Sequence, residues 1–292
     1  MSALVEIASD ALTAAINPFG AELTHLRDAQ GRELMTDADP AFWPHYAPIL
    51  FPVIGMTNGG VIRLDGADYP MPKHGFARHS MFTVAERQDR RAVFSLAPSA
   101  ETRRSYPFEF ALGIAFELAG ATLSITATIR NPSPDRPLPA QFGFHPALAW
   151  PLPYGEPREA HRITFDADEP EHLLRVAPDG LIAPERRDNP LDGRTLHLRD
   201  ALFTDDALVF DPLHSDRVRY GAEGGPALEV AVPDTPRLGV WTKPGAHFIC
   251  IEPWHGLADP EGFTGDFHDK PGVFEVPPSG EKRIGLSITL LS

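Results

Sequence analysis

The chain of 292 residues lacks several features that mark common protein classes. It has one cysteine, Cys250, and therefore cannot form an internal disulfide or a zinc site built from several cysteines, which is typical of a reducing compartment. No stretch approaches about 18 uninterrupted apolar residues, and residues 1–13 have no basic segment followed by an apolar run. We therefore expect a cytoplasmic protein with no export signal and no membrane span.

Positive charge is also scarce. Lys and Arg number 26 against 40 Asp and Glu, which gives a net charge of −14. Such a surface repels polyanions, so we expect neither nucleic acid nor an anionic membrane as a partner. The hydrophobic share of 42% and charged share of 23% are ordinary for a globular protein.

Proline, by contrast, is abundant, with 31 residues where about 5% of a chain is usual. Because proline donates no backbone hydrogen bond, it belongs at turns and strand ends. Apolar side chains alternate with small or polar ones over residues 112–118 and 123–129, and Ala119-Gly120 between them can turn the chain, which predicts a β-hairpin. The same alternation occurs at residues 93–96, 228–232 and 284–290.

Short strands across the whole length predict an all-β sandwich or barrel with only a few short helices. Residues 151–194 are rich in Pro, Asp, Glu and Arg and have weak periodicity. This region is either an excursion on the rim or a linker. We favour the rim, because the chain on both sides carries the chemistry described next, and we therefore expect a single domain over residues 1–292.

Three segments combine titratable side chains with a sharply shaped backbone. They are residues 71–78 (MPKHGFAR), 141–147 (QFGFHPA) and 248–256 (FICIEPWHG). In the third, Glu252 lies in a strand that is apolar on both faces, so the strand is central and Glu252 is expected to be buried. A buried carboxylate is costly unless it is paired or neutral, and such a group is suited to act as a tuned base. The alternative is a glutamate that reaches solvent because Pro253 ends the strand.

The histidines of the first two segments are His74 and His145. Opening the ring of a cyclic aldose needs a base for the anomeric hydroxyl proton and an acid for the ring oxygen, and a carboxylate with an imidazole can supply both near neutral pH. A lone histidine is more often a surface or satisfied core group, so the prediction depends on the three side chains meeting in one site.

Four motifs in this order resemble the aldose 1-epimerase (galactose mutarotase-like) superfamily, and its bacterial aldose epimerase-like branch in particular. They are residues 48–52 (PILFP), 74–78 (HGFAR), 143–146 (GFHP) and 251–254 (IEPW), and residues 206–210 and 239–245 are also similar to that branch. The resemblance covers the chain from about Ala14 to its C-terminus. It implies a large antiparallel β-sandwich, a small-molecule sugar as substrate, and no cofactor or required metal, in a monomer or homodimer.

The resemblance also implies residue roles. Glu252 would be the base on the anomeric hydroxyl, His145 the acid on the ring oxygen, and His74 a group that holds and polarises that oxygen. Weaker candidates for contacts with the sugar hydroxyls and ring face are Arg78, Asp206, Gln141 and Trp241.

One position departs from the family pattern. Members of this branch usually carry an arginine after the glycine at the position of Gly55, and this chain has Met56 there. A contact to a sugar hydroxyl or phosphate is therefore missing unless Arg63, a little downstream, replaces it. The departure argues against a phosphorylated sugar.

Two other functions fit parts of the pattern. A non-catalytic sugar-binding or sensor protein on the same fold would use Trp241, Trp254 and Phe144 for stacking but would not need a buried carboxylate and two histidines. Two histidines and one carboxylate also form the facial triad of non-haem iron sites, although such ligands usually come from nearby positions in the chain.

Overall fold

The computed structural model describes residues 3–291, and most of its regular structure is antiparallel strand. The strands of the first half are β1 (Val5–Ala8), β2 (Leu12–Asn17), β3 (Glu22–Asp28), β4 (Ile49–Leu50), β5 (Val61–Leu64), β6 (Ala67–Pro70), β7 (Thr83–Arg87), β8 (Arg91–Leu96), β9 (Ala111–Ala119), β10 (Thr122–Arg130) and β11 (Leu138–Ala140). Those of the second half are β12 (Phe142–Phe144), β13 (Ala147–Ala149), β14 (His161–Phe165), β15 (Thr195–His197), β16 (Leu208–Phe210), β17 (Arg217–Ala222), β18 (Ala227–Ala231), β19 (Arg237–Trp241), β20 (Phe248–His255), β21 (Phe274–Val276) and β22 (Glu281–Leu291).

Helical structure is confined to short turns. They are α1 (Thr102–Ser105) and the 3-10 turns Asn58–Gly60, Ala77–His79, Arg158–Ala160, Asp200–Phe203 and Phe267–Asp269. None of the helices within residues 3–291 has the length and apolar character needed to cross a bilayer.

Two large sheets form the body of the molecule. The first has nine strands in the order β15-β14-β17-β18-β22-β10-β9-β8-β7, and the second follows β16-β19-β20-β12-β4, with β13 also paired to β20. Smaller sheets are β1-β2-β3, β5-β6 and β11-β21. The predicted all-β sandwich is confirmed, and so is the hairpin, because β9 pairs β10 with Leu118 opposite Leu123.

Alternation along the strands builds the core between the two large sheets. Along β9 and β10, every second residue, among them Leu112, Ile114, Ile125 and Ile129, is buried, while the residues that alternate with them are partly or fully exposed. These side chains share one apolar cluster with residues of the second sheet. The period of two in the sequence therefore predicted the core-facing side chains of the first sheet correctly.

Strand β20 lies in the middle of the second sheet, between β19 on one side and β12 and β13 on the other. Ile249 and Ile251 point into the core between the sheets. Phe248 and Cys250 belong to a separate cluster on the opposite face of the strand, which is also the face of Glu252 by the period of two. All eight residues of β20 are buried, so the expected central strand is confirmed.

Of the region 151–194, residues 166–194 form an excursion on the rim, whereas residues 161–165 are strand β14 of the nine-stranded sheet, which corrects the expectation for that part. The excursion is tied to the second sheet and to the chain after β20 by isolated bridges, which pair Leu174 with Val209 and Ile182 with Pro260. Val176 pairs with Ile182 inside the excursion. The region is therefore packed against the edge of the sandwich, as part of the wall of the cavity described below.

The turn at residues 74–75 brings His74 beside the segment that follows β4. Gly75 has φ +74°, and a Cβ added there would lie 2.1 Å from the carbonyl oxygen of Phe51. That same oxygen accepts hydrogen bonds from the amides of Phe76 and Ala77. Only glycine combines this conformation with so close an approach of two backbones.

We predict that Gly75→Ala destabilises the protein more than Gly31→Ala. Gly31 has a similar φ of +77° but nothing within 4 Å of an added Cβ, so its substitution measures the conformational penalty alone, about 1 kcal/mol. The clash at Gly75 should add roughly 1–3 kcal/mol. Denaturant-induced unfolding of both variants measures the difference, and equal losses would contradict the steric argument.

Candidate active site

A cavity with about 790 Å³ of empty space, part of it open to solvent, lies against the outward face of β20. Six titratable residues line it, namely Lys73, His74, Arg78, His145, Asp206 and Glu252. The rest of the lining is mainly tryptophan and aliphatic side chains. All three residues predicted to be catalytic therefore meet in one cavity.

Glu252 and His145 are in direct contact at the buried side of this cavity. Nε2 of His145 lies 3.2 Å from Oε2 of Glu252, and the two residues are 6% and 1% exposed. Within residues 3–291, Oε2 of Glu252 and Nδ1 of His145 have no partner with hydrogen-bond geometry. Buried polar atoms rarely lack a hydrogen-bond partner, so these two atoms are available to bind a polar ligand.

Burial shifts both groups toward their uncharged forms. It raises the pKa of Glu252 well above its usual value, with a smaller contribution in the same direction from the charge of Asp206. Burial and the positive charge of Arg78 lower the pKa of His145 to about 3. A carboxylate with a raised pKa beside an imidazole at 3.2 Å is an arrangement that can exchange a proton with a bound hydroxyl.

His74 is held rigidly beside the pair. Its ring centroid lies 5.8 Å from that of His145 with nearly perpendicular planes. Its Nδ1 accepts a hydrogen bond from the amide of Gly55, so Nε2 carries the proton in the neutral ring, and burial keeps its pKa well below the usual range. The backbone of His74 is in the left-handed region at φ +66°, a strained conformation that is typical of functional sites.

Two tryptophans enclose the imidazole of His145. Trp43 stacks on it with centroids 4.8 Å apart, and Trp241 meets it edge-on at 6.0 Å. The two indoles also contact each other at 5.6 Å. They fix the orientation of His145 and present aromatic faces to the cavity.

Arg78 and Lys73 supply positive charge. Nη2 of Arg78 lies 2.7 Å from Nε2 of His45, and burial together with the nearby Arg78 charge lowers the pKa of His45 to about 4, so His45 is a neutral acceptor for the guanidinium. Nε of Arg78 is buried without a hydrogen-bond partner among the described residues. A donor in this state can bind a ligand oxygen.

Asp206 and Trp241, predicted as sugar contacts, both line the cavity, and Asp206 has the left-handed φ of +68°. Gln141 does not line it. Its side chain is fully buried, its Oε1 accepts from the amide of Ile54, and its Nε2 donates to the carbonyl oxygen of Pro271. The structure therefore corrects the sugar contact expected for Gln141, because its amide is used to hold the segment after β4.

Arg63 does not line the cavity either, and its guanidinium faces Asp68 and the carbonyl oxygen of Asn58. Conversely, Trp43 and Lys73 line the cavity although neither was predicted from the sequence. The position of Lys73 directly before His74 could have indicated it. Nothing in the sequence around Trp43 indicates that its ring lies on a histidine about a hundred residues away.

One donor set near the pair could bind a metal ion. Ligand atoms of His145, Cys250 and Glu252 all lie within 4.8 Å of one another, and the three residues are buried. This donor set differs from the facial triad considered from the sequence, because it lacks His74 and includes Cys250, the only cysteine of the chain. Cys250 does not line the cavity, and burial raises the pKa of its thiol.

The chain is similar to known proteins along most of its length. A family model described as aldose 1-epimerase matches residues 3–263. Protein LacX, chromosomal, of Lactococcus lactis subsp. lactis is 31% identical over 297 residues, with 99% of each chain covered.

Two solved structures share the fold along the whole chain. A galactose mutarotase related enzyme from Lactobacillus acidophilus has a TM-score of 0.92 at 28% identity, with 99% of this chain and 98% of that chain covered. A galactose mutarotase-like protein from Lactobacillus casei ATCC 334 has a TM-score of 0.91 at 28% identity and covers 99% and 100%. Since the family match includes every segment that builds the cavity, the chain belongs to the aldose 1-epimerase family.

Proposed function

We propose that the protein is an aldose 1-epimerase, a mutarotase that interconverts the α and β anomers of a free sugar by acid and base catalysis. The observation that carries the proposal is the 3.2 Å contact between the buried Glu252 and His145, beside His74 and on the wall of a cavity that is open to solvent on one side. Membership of the aldose 1-epimerase family supports the same activity.

In the proposed reaction, Glu252 takes the proton of the anomeric hydroxyl while His145 gives a proton to the ring oxygen. The bond between C1 and the ring oxygen breaks, and the anomeric C–O becomes the aldehyde C=O. Rotation about the C1–C2 bond exposes the other face of the aldehyde. Reclosure then returns one proton from the carboxyl to the new anomeric oxygen and one from the C5 hydroxyl to the imidazole.

The pair needs one proton in total for this cycle. An ionised Glu252 beside a protonated His145 holds the same number of protons as a protonated Glu252 beside a neutral His145. Ring opening converts the first distribution into the second without any exchange with solvent. Burial favours the uncharged distribution, so the ionised distribution that starts ring opening is the higher of the two in free energy, and ring opening returns the pair to the uncharged one.

The other lining residues position the sugar. Nε2–H of His74 is assigned to the ring oxygen, because Nδ1 is occupied by the amide of Gly55. Arg78 and Asp206 offer a donor and an acceptor for hydroxyls, and Trp241 offers a ring face. Holding the anomeric centre of the sugar against both catalytic groups supplies a large part of the rate enhancement.

The donor set of His145, Cys250 and Glu252 leaves a metal-dependent activity as the competing function. We expect exhaustive treatment with a chelator to leave turnover unchanged, because proton transfer between the sugar and the pair needs no metal. Elemental analysis before and after treatment accompanies the assay. If activity is lost when the metal is removed and returns when that metal is added back, the proposed metal-free mechanism is wrong and a metal-dependent one takes its place.

We predict that Glu252→Gln reduces the enzymatic rate of anomer exchange at least a thousandfold, since general acid and base groups contribute about 10²–10⁴ each. The amide keeps the shape of the side chain and removes the base. NMR exchange spectroscopy on freshly dissolved aldoses measures the rate, with the spontaneous rate subtracted.

Two measurements make this result specific. The thermal midpoint of Glu252→Gln should stay near that of the unmodified protein, and Glu275→Gln, at a half-exposed position in β21, should retain full activity. The turnover of His145→Asn should fall by several powers of ten, and that of His74→Asn by somewhat less.

Turnover of Glu252→Gln close to that of the unmodified protein would show that Glu252 is not the base. If the unmodified protein binds sugars but does not accelerate anomer exchange, a sugar sensor is favoured instead.

We also predict a bell-shaped pH dependence of kcat/KM, because only the pair with one proton holds both an acid and a base. Adding a second proton at low pH removes the base. Burial lowers the pKa of His145 to about 3, so this loss should occur well below pH 6.5. Removing the last proton at high pH removes the acid, and burial of Glu252 moves this loss to a pH well above 4.5. Samples held at each pH and assayed at pH 7 separate titration from unfolding, and an acid limb near pH 6.5 would contradict the prediction.

A further inference from the structure

The indole of Trp254 lies over the two strands that flank β20. Trp254 and Glu252 are two residues apart in β20, so their side chains leave the same face of the strand, and both line the cavity. Gly143 of β12 is the register partner of Trp254, and Gly239 of β19 is the register partner of Glu252. Glycine weakens a strand interior and often marks the close approach of another group, so a glycine on each side of β20 calls for such a group.

The indole is that group. A Cβ added at Gly143 would lie 2.9 Å from Cδ1 of Trp254, and one added at Gly239 would lie 2.7 Å from Cζ2 and 3.1 Å from Cε2 of the same ring. Neither glycine has a positive φ, so the space taken by the ring, and not backbone freedom, explains both positions. A larger residue at either position would displace the indole.

This placement puts the indole nitrogen over the central strand. Nε1 is bonded to Cδ1 and to Cε2, and these two atoms contact the positions of Gly143 and Gly239 on opposite sides of β20. The N–H therefore lies beside Glu252. Burial raises the pKa of the Glu252 carboxyl, and the indole N–H opposes that shift.

Donor and acceptor both lack another partner. Nε1 of Trp254 and Oε2 of Glu252 are buried, and neither has a partner with hydrogen-bond geometry within residues 3–291. An indole N–H can only donate, and an ionised carboxylate can only accept. Because hydrogen bonds to an ionised group are about twice as strong as neutral ones, the N–H stabilises the ionised form of Glu252 more than the neutral form.

We propose that Trp254 is the positioning residue of the catalytic base, and that its Nε1–H donates to the carboxylate of Glu252 when that group is ionised. The bond fixes the orientation of the carboxylate and leaves its other lone pairs for the anomeric hydroxyl and for His145. Without the donor, the ionised carboxylate that starts ring opening forms less often. The positioning role rests on the proposed mutarotase function, whereas the hydrogen bond itself does not.

Other titratable groups surround the same carboxyl. Within residues 3–291 they are Lys73, His74, Arg78, His145, Asp206 and Cys250. The charge of Asp206 raises the pKa of Glu252 and that of Lys73 lowers it, both after the effects of burial and of the indole. All of these groups remain when Trp254 is replaced, so a changed titration of Glu252 reports on the indole.

NMR of the indole N–H groups tests the hydrogen bond without an activity assay. The chain has four tryptophans, and the signal that Trp254→Phe removes from a nitrogen-15 spectrum is that of Trp254. We expect the proton of this signal to move downfield as Glu252 loses its proton at high pH, and the movement to vanish in Glu252→Gln. A signal that does not titrate in the unmodified protein, or that titrates equally in Glu252→Gln, overturns the hydrogen bond.

Kinetics test the positioning role. Trp254→Phe keeps an aromatic ring and removes the N–H, so the last proton of the pair is held more tightly. We expect the alkaline limb of kcat/KM to move up by about one pH unit and kcat to fall about tenfold, while KM changes less than about threefold. A raised KM at unchanged kcat would make Trp254 a stacking contact of the sugar and overturn the role.

Trp150→Phe is the matched control. Trp150 is buried away from the cavity, and its indole N–H donates to the carbonyl oxygen of Arg158. This variant also removes an N–H and its hydrogen bond, so it should lower the thermal midpoint. The alkaline limb and kcat should stay where they are in the unmodified protein.

Gly239→Ala tests the same contact with the indole retained. The added Cβ displaces Cζ2 of Trp254, so the variant should reproduce the loss of kcat and the upward move of the alkaline limb. Gly285→Ala, in β22 with nothing within 4 Å of the added Cβ, should change neither. Thermal midpoints show that each variant is folded under the conditions of the assay.

The two proposals fail in different ways. If Trp254→Phe and Gly239→Ala are folded and both keep the kcat and the alkaline limb of the unmodified protein, the positioning role is wrong and the mutarotase function stands. If the unmodified protein accelerates no anomer exchange, the mutarotase function and the positioning role are both wrong. The NMR titration then still decides whether the hydrogen bond exists.

Discussion

The burial of Glu252 is the constraint on which the rest of the site depends. Ile249 and Ile251 fix the register of β20 by pointing into the core between the sheets, so Glu252 is directed to the opposite face. A slip of one residue would expose the isoleucines to the cavity and send the carboxylate into the core. The free energy of apolar packing thus holds a carboxylate where water would otherwise stabilise its charge, and His145 at 3.2 Å is the group that can share its proton.

The strained and buried polar groups around the cavity follow from this arrangement. His74 and Asp206 both have left-handed backbones, which cost free energy that the surrounding packing must offset. Gln141 and the buried ion pair of Asp259 and Lys270 lie outside the cavity lining but connect the segments that form it. Their polar atoms stabilise loop positions that apolar contacts alone would not specify.

Polarity is divided within the cavity. Charged and hydrogen-bonding groups surround the position proposed for the anomeric centre, and an aliphatic surface faces the other side. Met56 packs on Gly180, where an added Cβ would lie 2.7 Å from its Cγ.

The sequence by itself determined the sandwich class, the hairpin of β9 and β10, the central and buried strand of Glu252, and the family, because alternation and ordered motifs are local properties of the chain. It did not determine that Gln141 holds the segment after β4, that Trp43 stacks on His145, or that residues 176–182 line the cavity. These contacts join segments that are distant in the chain and lack any periodic signal. Only the packing of the two sheets and their rim loops decides which of those side chains meet.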